Sequence, residues 1–398
     1  HSSFERINLV ELGRCFVSLS SIAWQLMIDM MTYCRHHPVD EILQIVASSM
    51  LAVTTFSLTA MVTAYGSASR VATPRATQLL VADPTSQNVL STFIGAFVFS
   101  MVGIIAISTG YYGDQGQAIL FAGTLVVIVI VVVVLLRWIS HLGSFGRMSD
   151  IIDRVESAAQ RTTSQYANRP SLGARRQDPR TVTGASVRPE RAGYVTHIDL
   201  GRLEAVAEAR ELTIHVRALP GTVVDAASPL ALVAGTVDEE VRSKVANAFH
   251  IESHRSYDQD PRLGMIALSE IASRALSPST NDPGTAIDVL AALSRVFENM
   301  LQTEADDDTP YGHVTVEPVT LGDLVEDAFR PIARDGAGVV EVGIRLQKTL
   351  ASLADLAGPA RGRPFTDAAT DARARAQRVL SRSDAVALRR AASAAPRR

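Results

Sequence analysis

The sequence predicts a membrane α-helical bundle of three to four spans followed by a cytoplasmic α+β domain. Three observations carry that reading. Residues 117–136, QAILFAGTLVVIVIVVVVLL, run for twenty positions without a charge, and as a helix they rise about 30 Å, the thickness of a bilayer's hydrocarbon core. Two further stretches, 42–65 and 88–112, are also long, apolar and free of charge. Beyond residue 140 the pattern changes to short β-type runs and capped amphipathic helices, the signature of a folded domain with a solvent face.

The chain has 398 residues, 47% hydrophobic and 20% charged, which suffices for a membrane bundle and one or two further domains. The mean hydropathy of +0.15 averages two unlike halves. A net charge of −3 and a pI near 6.3 give no global reason to expect nucleic acid. Cys15 and Cys34 lie about 28 Å apart on a continuous helix, far beyond disulfide reach. The sequence starts at His1 rather than Met, so no signal peptide is read from it.

Taken in order, residues 15–33 form the fourth candidate span. They carry Gln25 and Asp29, and an Asp near a helix centre costs about 2.5–3.5 kcal/mol on insertion. A surface amphipathic helix is the alternative. The spans 42–65, 88–112 and 117–139 follow, the last two joined by a short polar turn, and the membrane domain is read as 1–140. Arg70 and Arg75 between the first two of these, and Arg137, Arg147 and Arg154 after the third, face only Asp114 in the intervening turn. The arginine excess places the 66–87 loop and everything after the last span in the cytoplasm of a bacterial inner membrane protein.

Within 42–65, Gln44, Ser48, Thr55 and Thr59 fall on one helical stripe, extended by Glu41. The stripe is a candidate pore lining, and the competing reading is hydroxyl-mediated helix packing. The next span repeats small residues at Thr92, Ala96 and Ser100, and at Gly95 and Gly103, and that face reads as packing.

Thr-Pro-Arg at 73–75, Asp83, Gln87 and the run Phe93-Ile94-Gly95-Ala96-Phe97 resemble a loop and span of bacterial membrane proteins grouped as "domain of unknown function 2254". Gly193-Tyr194-Val195 with Ile198 and Asp199 is similar to that family's soluble opening. Gln259, Asp260, Leu263, Gly264, Ile271, Ala272, Arg274, Ala275-Leu276-Ser277-Pro278, Asn281-Asp282-Pro283 and Thr285-Ala286 resemble its signature. Ser279 and Thr280 depart from the small and then aliphatic pair of that signature. The resemblance runs to about residue 356. It implies an integral membrane protein with a cytoplasmic domain, and it implies no activity.

Residues 141–160 read as an amphipathic stem helix with Phe145, Met148, Ile151, Ile152 and Val155 on one face, and 161–192 as a linker rich in Arg, Ser, Thr, Pro and Gly. The α+β domain is read over 193–356. A strand to Ile198, an Asp199-capped helix and a strand at 212–216 open it. Residues 219–233 are similar in rhythm to a lipoyl-like hairpin, but with no lysine at the turn they predict a plain structural hairpin. Asp238, Asp260, Asp282 and Thr320 are each placed to cap a helix, with Pro261 and Pro283 at first helical positions. Residues 357–398, with ten Arg against three Asp, read as a basic helix or tail able to touch anionic lipid.

Residues 250–260, HIESHRSYDQD, are the densest cluster of chemistry-bearing side chains. If a helix persisted there, His250 and His254 would share a face and Asp258 or Asp260 could complete a metal site. His36 and His37 with Asp40 and Glu41 form a similar cluster. No phosphate loop, dinucleotide fingerprint, zinc ribbon or serine elbow is present. No cofactor is expected. The reading is a homo-oligomeric channel or transporter for a small ion or solute with a cytoplasmic gating domain, the alternatives being a membrane-bound metal-dependent hydrolase and a scaffold without transport. The expected partners are the lipid bilayer and further copies of the chain, with no nucleic acid.

Overall fold

A computed structural model describes residues 39–71, 73–81, 84–110, 114–144, 147–176, 183–306 and 308–393. The candidate span 15–33, the two cysteines and the His36–His37 pair lie outside these residues. The chain divides into two compact units, one comprising residues 1–66 and 82–145, the other residues 67–81 and 146–398.

Three long helices make the first unit: α1 (Val39–Val71, of which residues 39–66 belong here), α3 (Pro84–Ser108) and α4 (Asp114–Ser144). Each contains a stretch long and apolar enough to cross a membrane, Val39–Gly66, Pro84–Ser108 and Gly116–Gly143. The helices meet through Leu43, Val46 and Met50 on α1, Phe93, Ala96 and Ser100 on α3, and Phe121, Val131 and Trp138 on α4, all buried. Most of their apolar surface stays outward, including Ile45, Phe56, Ile119 and Val129. A soluble protein does not tolerate an uncovered apolar surface of that extent; hydrocarbon does.

The second unit is mixed α/β. Its main sheet joins β1 (Ala174–Arg176), β8 (Tyr311–Val316), β4 (Thr213–Val216), β6 (Ala231–Ala234) and β2 (Ala185–Val187) in that order, with β1, β8 and β4 parallel and the remaining pairs antiparallel. A smaller antiparallel sheet has β3 (Gly193–Ile198) between β5 (Val223–Val224) and β7 (Phe249–Glu252). Helices α6 (Leu200–Ala209) and α7 (Glu239–Ala246) accompany the sheets. Asp199 and Asp238 cap them by accepting from Arg202 N and Val241 N. Val195, Leu203, Ile214, Leu230, Val233 and Val314 form the sheet core.

A helical layer completes this unit: α2 (Pro74–Val81), α5 (Met148–Asn168), α8 (Pro261–Ala275), α9 (Pro283–Gln302), α10 (Leu321–Asp335), α11 (Val340–Arg361), α12 (Arg363–Gln377) and α13 (Arg382–Ser393). Helix α8 is its centre and packs against α5, α9 and α10. At Gly264 an added Cβ would stand 2.4 Å from Ala159 Cβ, so only glycine lets α8 lie this close to α5. Phe297 stacks on Phe329 at 5.5 Å and meets Phe365 edge-on at 5.3 Å, which ties α9, α10 and α12 together.

Three expectations change. The stem is a core helix, because Ile151, Ile152, Val155 and also Glu156, Ala158 and Ala159 are buried within this unit, and it runs on to Asn168. The region read as a linker therefore holds the end of α5 and strands β1 and β2. The hairpin at 219–233 does not form: β5 pairs with β3 in one sheet while β6 pairs with β4 and β2 in the other. The basic segment 357–398, read as a helix or a tail, is helical through α12 and α13 as far as residue 393, held by buried Phe365, Ala376 and Leu388.

Candidate functional site

The loop from β7 to α8 gathers the unit's most constrained polar groups. Asp260, 1% exposed, caps α8 by accepting from Arg262 N at 3.0 Å, while its other oxygen takes Nε of Arg255 at 2.7 Å and Nη2 at 2.6 Å. Burial pushes its carboxyl upward, against the pull of Arg255. Gly221, at φ +90°, closes over the pair; a Cβ there would stand 2.4 Å from Asp260 Oδ2. Its carbon-free side is what lets the backbone cover a buried ion pair.

Tyr257, three residues earlier, accepts from Thr162 Oγ1 of α5 at 3.1 Å through its carbonyl and donates its phenol to the carbonyl of Arg75 at 3.2 Å. Burial raises the phenol's pKa. The Arg75 guanidinium pairs with Glu270 on α8. Helix α2, which lies in the chain between two membrane-capable helices, is thus held in the second unit by an ion pair and a hydrogen bond.

Beside this network is a cleft of about 360 Å³ where β3 ends and α6 begins, lined among others by Tyr166, Arg169, Leu172, His197, Asp199 and Gln259. His197 Nδ1 lies 2.7 Å from Asp258 Oδ2, and its ring meets His250 edge-on at 5.5 Å. Gln259 accepts from Ile198 N at 2.9 Å. Tyr166 donates to Val319 O at 3.5 Å and also receives Val319 N, and burial raises its pKa. Arg169 reaches Asp306 Oδ2 through Nε at 3.0 Å and Nη2 at 2.7 Å.

A family model described as "Predicted membrane protein (DUF2254)" matches residues 12–352. The chain belongs to this family. Uncharacterized proteins of Mycobacterium bovis and of two strains of Mycobacterium tuberculosis are 26% identical to it over 235 residues, 56% of this chain and 44% of theirs. The chain thus spans somewhat under half the length of these curated relatives. No solved structure matches it.

Of the signature residues Asp260, Arg274, Ser277, Pro278, Asn281, Asp282 and Pro283, Asp260 alone is buried. Arg274 is exposed at the end of α8. Ser277, Pro278, Asn281, Asp282 and Pro283 form a tight turn between α8 and α9, in which Asn281 has φ +48° and Asp282 N donates to Ala275 O at 2.8 Å. The Asp282 carboxylate accepts from Thr285 N at 3.1 Å and Thr285 Oγ1 at 2.6 Å, the geometry of a cap.

His250 and His254 do not share a helical face, because α7 ends at Ala246 and residues 249–252 are a strand. His250 is exposed on β7, His254 contacts Ser253 Oγ at 2.9 Å, and Asp258 turns to His197. Among the described residues no group of three or more His, Cys, Asp or Glu is placed to hold a metal ion. Gln44, Ser48, Thr55 and Thr59 are all exposed on the outer face of α1, with Ser48, Thr55 and Thr59 bonding carbonyls of their own helix.

The residues that sequence reasoning passed over are His197, Arg255, Tyr257, Glu270 and Gly221. Arg75 was visible in the Thr-Pro-Arg run but carried no partner. The Pro-Gly step at 220–221 marks a turn in the sequence, but nothing local to it points to Asp260, 39 residues further on.

Proposed function

We propose that the protein is a bacterial inner-membrane transport protein in which copies of the chain enclose a polar path along α1 and the C-terminal unit controls that path through α2. The observation that carries this is the membership of α2 in the second unit: a rearrangement around Asp260 and Glu270 pulls on a segment covalently joined to α1 on one side and α3 on the other. Supporting the position of the path, Gln44, Ser48, Thr55 and Thr59 are exposed on the three-helix unit, so a conduit using them lies between copies. The arginines at 70, 75, 137, 147 and 154 support a cytoplasmic C-terminal unit.

The test is solute flux. Full-length protein in liposomes is expected to release trapped potassium, and Ser48→Ala with Thr55→Val is expected to cut the rate about tenfold or more, since each removes a polar group from a narrow lining. Folded protein that gives no flux of potassium, chloride or small organic ions above that of empty vesicles overturns the transport reading. The metal-dependent hydrolase reading gains no favouring geometry from His250, His254 and Asp258.

A further inference from the structure

The lining of the cleft beside Gln259 is oriented before any ligand arrives. Asp258 turns His197, Gln259 is fixed on the Ile198 peptide, Val319 fixes Tyr166 and Asp306 fixes Arg169. Leu172 on the same wall has φ +57°, followed by Gly173 at +83°. A leucine in the left-handed region persists where its surroundings dictate the shape, and such residues gather at ligand clamps. The volume, about 360 Å³, lies within the range of small-molecule sites.

The chemistry of the walls selects a class. Arg169 commits Nε and Nη2 to Asp306, which leaves the Nη1 end of its guanidinium to face a carboxylate. Asp199 gives Oδ1 to the α6 cap, which leaves Oδ2 for an ammonium. Leu172, Ile198 and Leu200 supply an apolar floor. A ligand bearing both a carboxylate and an ammonium can use the two groups together, whereas a singly charged one uses only one of them. We propose that the cleft binds a small zwitterion of the α-amino-acid class with an apolar side chain. This supplies a ligand for the control assigned above to the C-terminal unit, and it rests on that reading for its purpose but not for its test.

The test is calorimetric titration of the full-length chain in detergent with L-leucine, using 4-methylpentanoate and 3-methylbutylamine as analogues lacking one charge each. Saturable leucine binding is expected, with both analogues at least tenfold weaker. Arg169→Gln and Asp199→Asn are each expected to weaken leucine at least tenfold; asparagine still caps α6, so the second variant keeps its thermal stability. Asp306→Asn, which frees Arg169 without removing it, is expected to bind leucine at least as well as the parent. Binding of either analogue as tight as that of leucine, no saturable heat with leucine or L-phenylalanine, or unchanged affinity in both cleft variants overturns the proposal. Titration reads the cleft and vesicle flux reads the path, so either can fail while the other stands.

Discussion

Asp282 illustrates how a signature residue can be structural. Its carboxylate takes the N–H and the hydroxyl of Thr285 ahead of Pro283, and both bonds hold its pKa below the ordinary carboxylate value. Asp282→Ala is expected to cost about 1 kcal/mol, within the roughly 0.5–2 kcal/mol range of N-caps, and Asp282→Ser to restore most of it. Thermal unfolding of the two variants checks this; two stable variants that both lack flux would make Asp282 a functional carboxylate instead. His215 is buried between β4 and β8 against Thr315 Oγ1 at 2.6 Å, and burial lowers its pKa below the ordinary 6.5. The unfolded chain therefore takes up a proton near pH 6.5 that the folded chain refuses. The stability this gives is present above pH 6.5 and is lost as the pH falls through the lower folded value. A melting temperature that drops between pH 7 and pH 5, with a shallower drop in His215→Gln, is the expected outcome; identical slopes would place the acid sensitivity elsewhere.

Helix by helix, the sequence was legible wherever a local rule was enough. Length and lack of charge located α1, α3 and α4, and Asp or Thr before a periodic run located the starts of α6 to α10. Pairing was not legible. Strand β8 escaped notice because Tyr311, Gly312 and His313 blur the alternation that Val314 to Val316 would otherwise show, and its partners lie far off in sequence, at β4 and β1. The 219–233 segment reads as a hairpin because its turn chemistry is local, whereas the sheet to which each strand belongs is a tertiary choice. The end of α5 was underrated, and the tail left open between helix and coil, for a related reason: alanine and arginine give little periodic signal, and the ring that Phe365 meets, Phe297, lies far off in sequence. Helix α2 is where an element-scale prediction belongs. The Arg75–Glu270 pair is more than a third exposed on one side, so its coupling is expected at about 0.5–1 kcal/mol. Arg75→Ala and Glu270→Gln should each raise hydrogen exchange of residues 74–81, the double variant should add little, and the charge-swapped pair should recover part of the protection. Additive effects would mean that the two side chains do not act together.

At the scale of the whole molecule, the membrane half announces itself in the sequence because lipid imposes one dominant rule, a long apolar helix. The candidate site in the second unit was only half visible. Gln259 and Asp260 could be named from resemblance, and Arg255 lies in the same loop, yet Ile198, which holds Gln259, and Gly221, which covers Asp260, come from two other parts of the chain. With three crossings, the segment holding α2 and the chain after α4 emerge on the same face of the bilayer, which is the arrangement their joint folding into one unit demands. That is the claim on which the coupling account rests. The direct measurement is labelling of single cysteines by a membrane-impermeant maleimide added outside intact spheroplasts, with Cys15 and Cys34 replaced by serine. Asp114→Cys is expected to label, and Gln78→Cys and Glu239→Cys to label only after lysis. A reversed pattern at all three positions would overturn the arginine-based orientation alone; Gln78→Cys and Glu239→Cys on opposite sides would contradict the account itself.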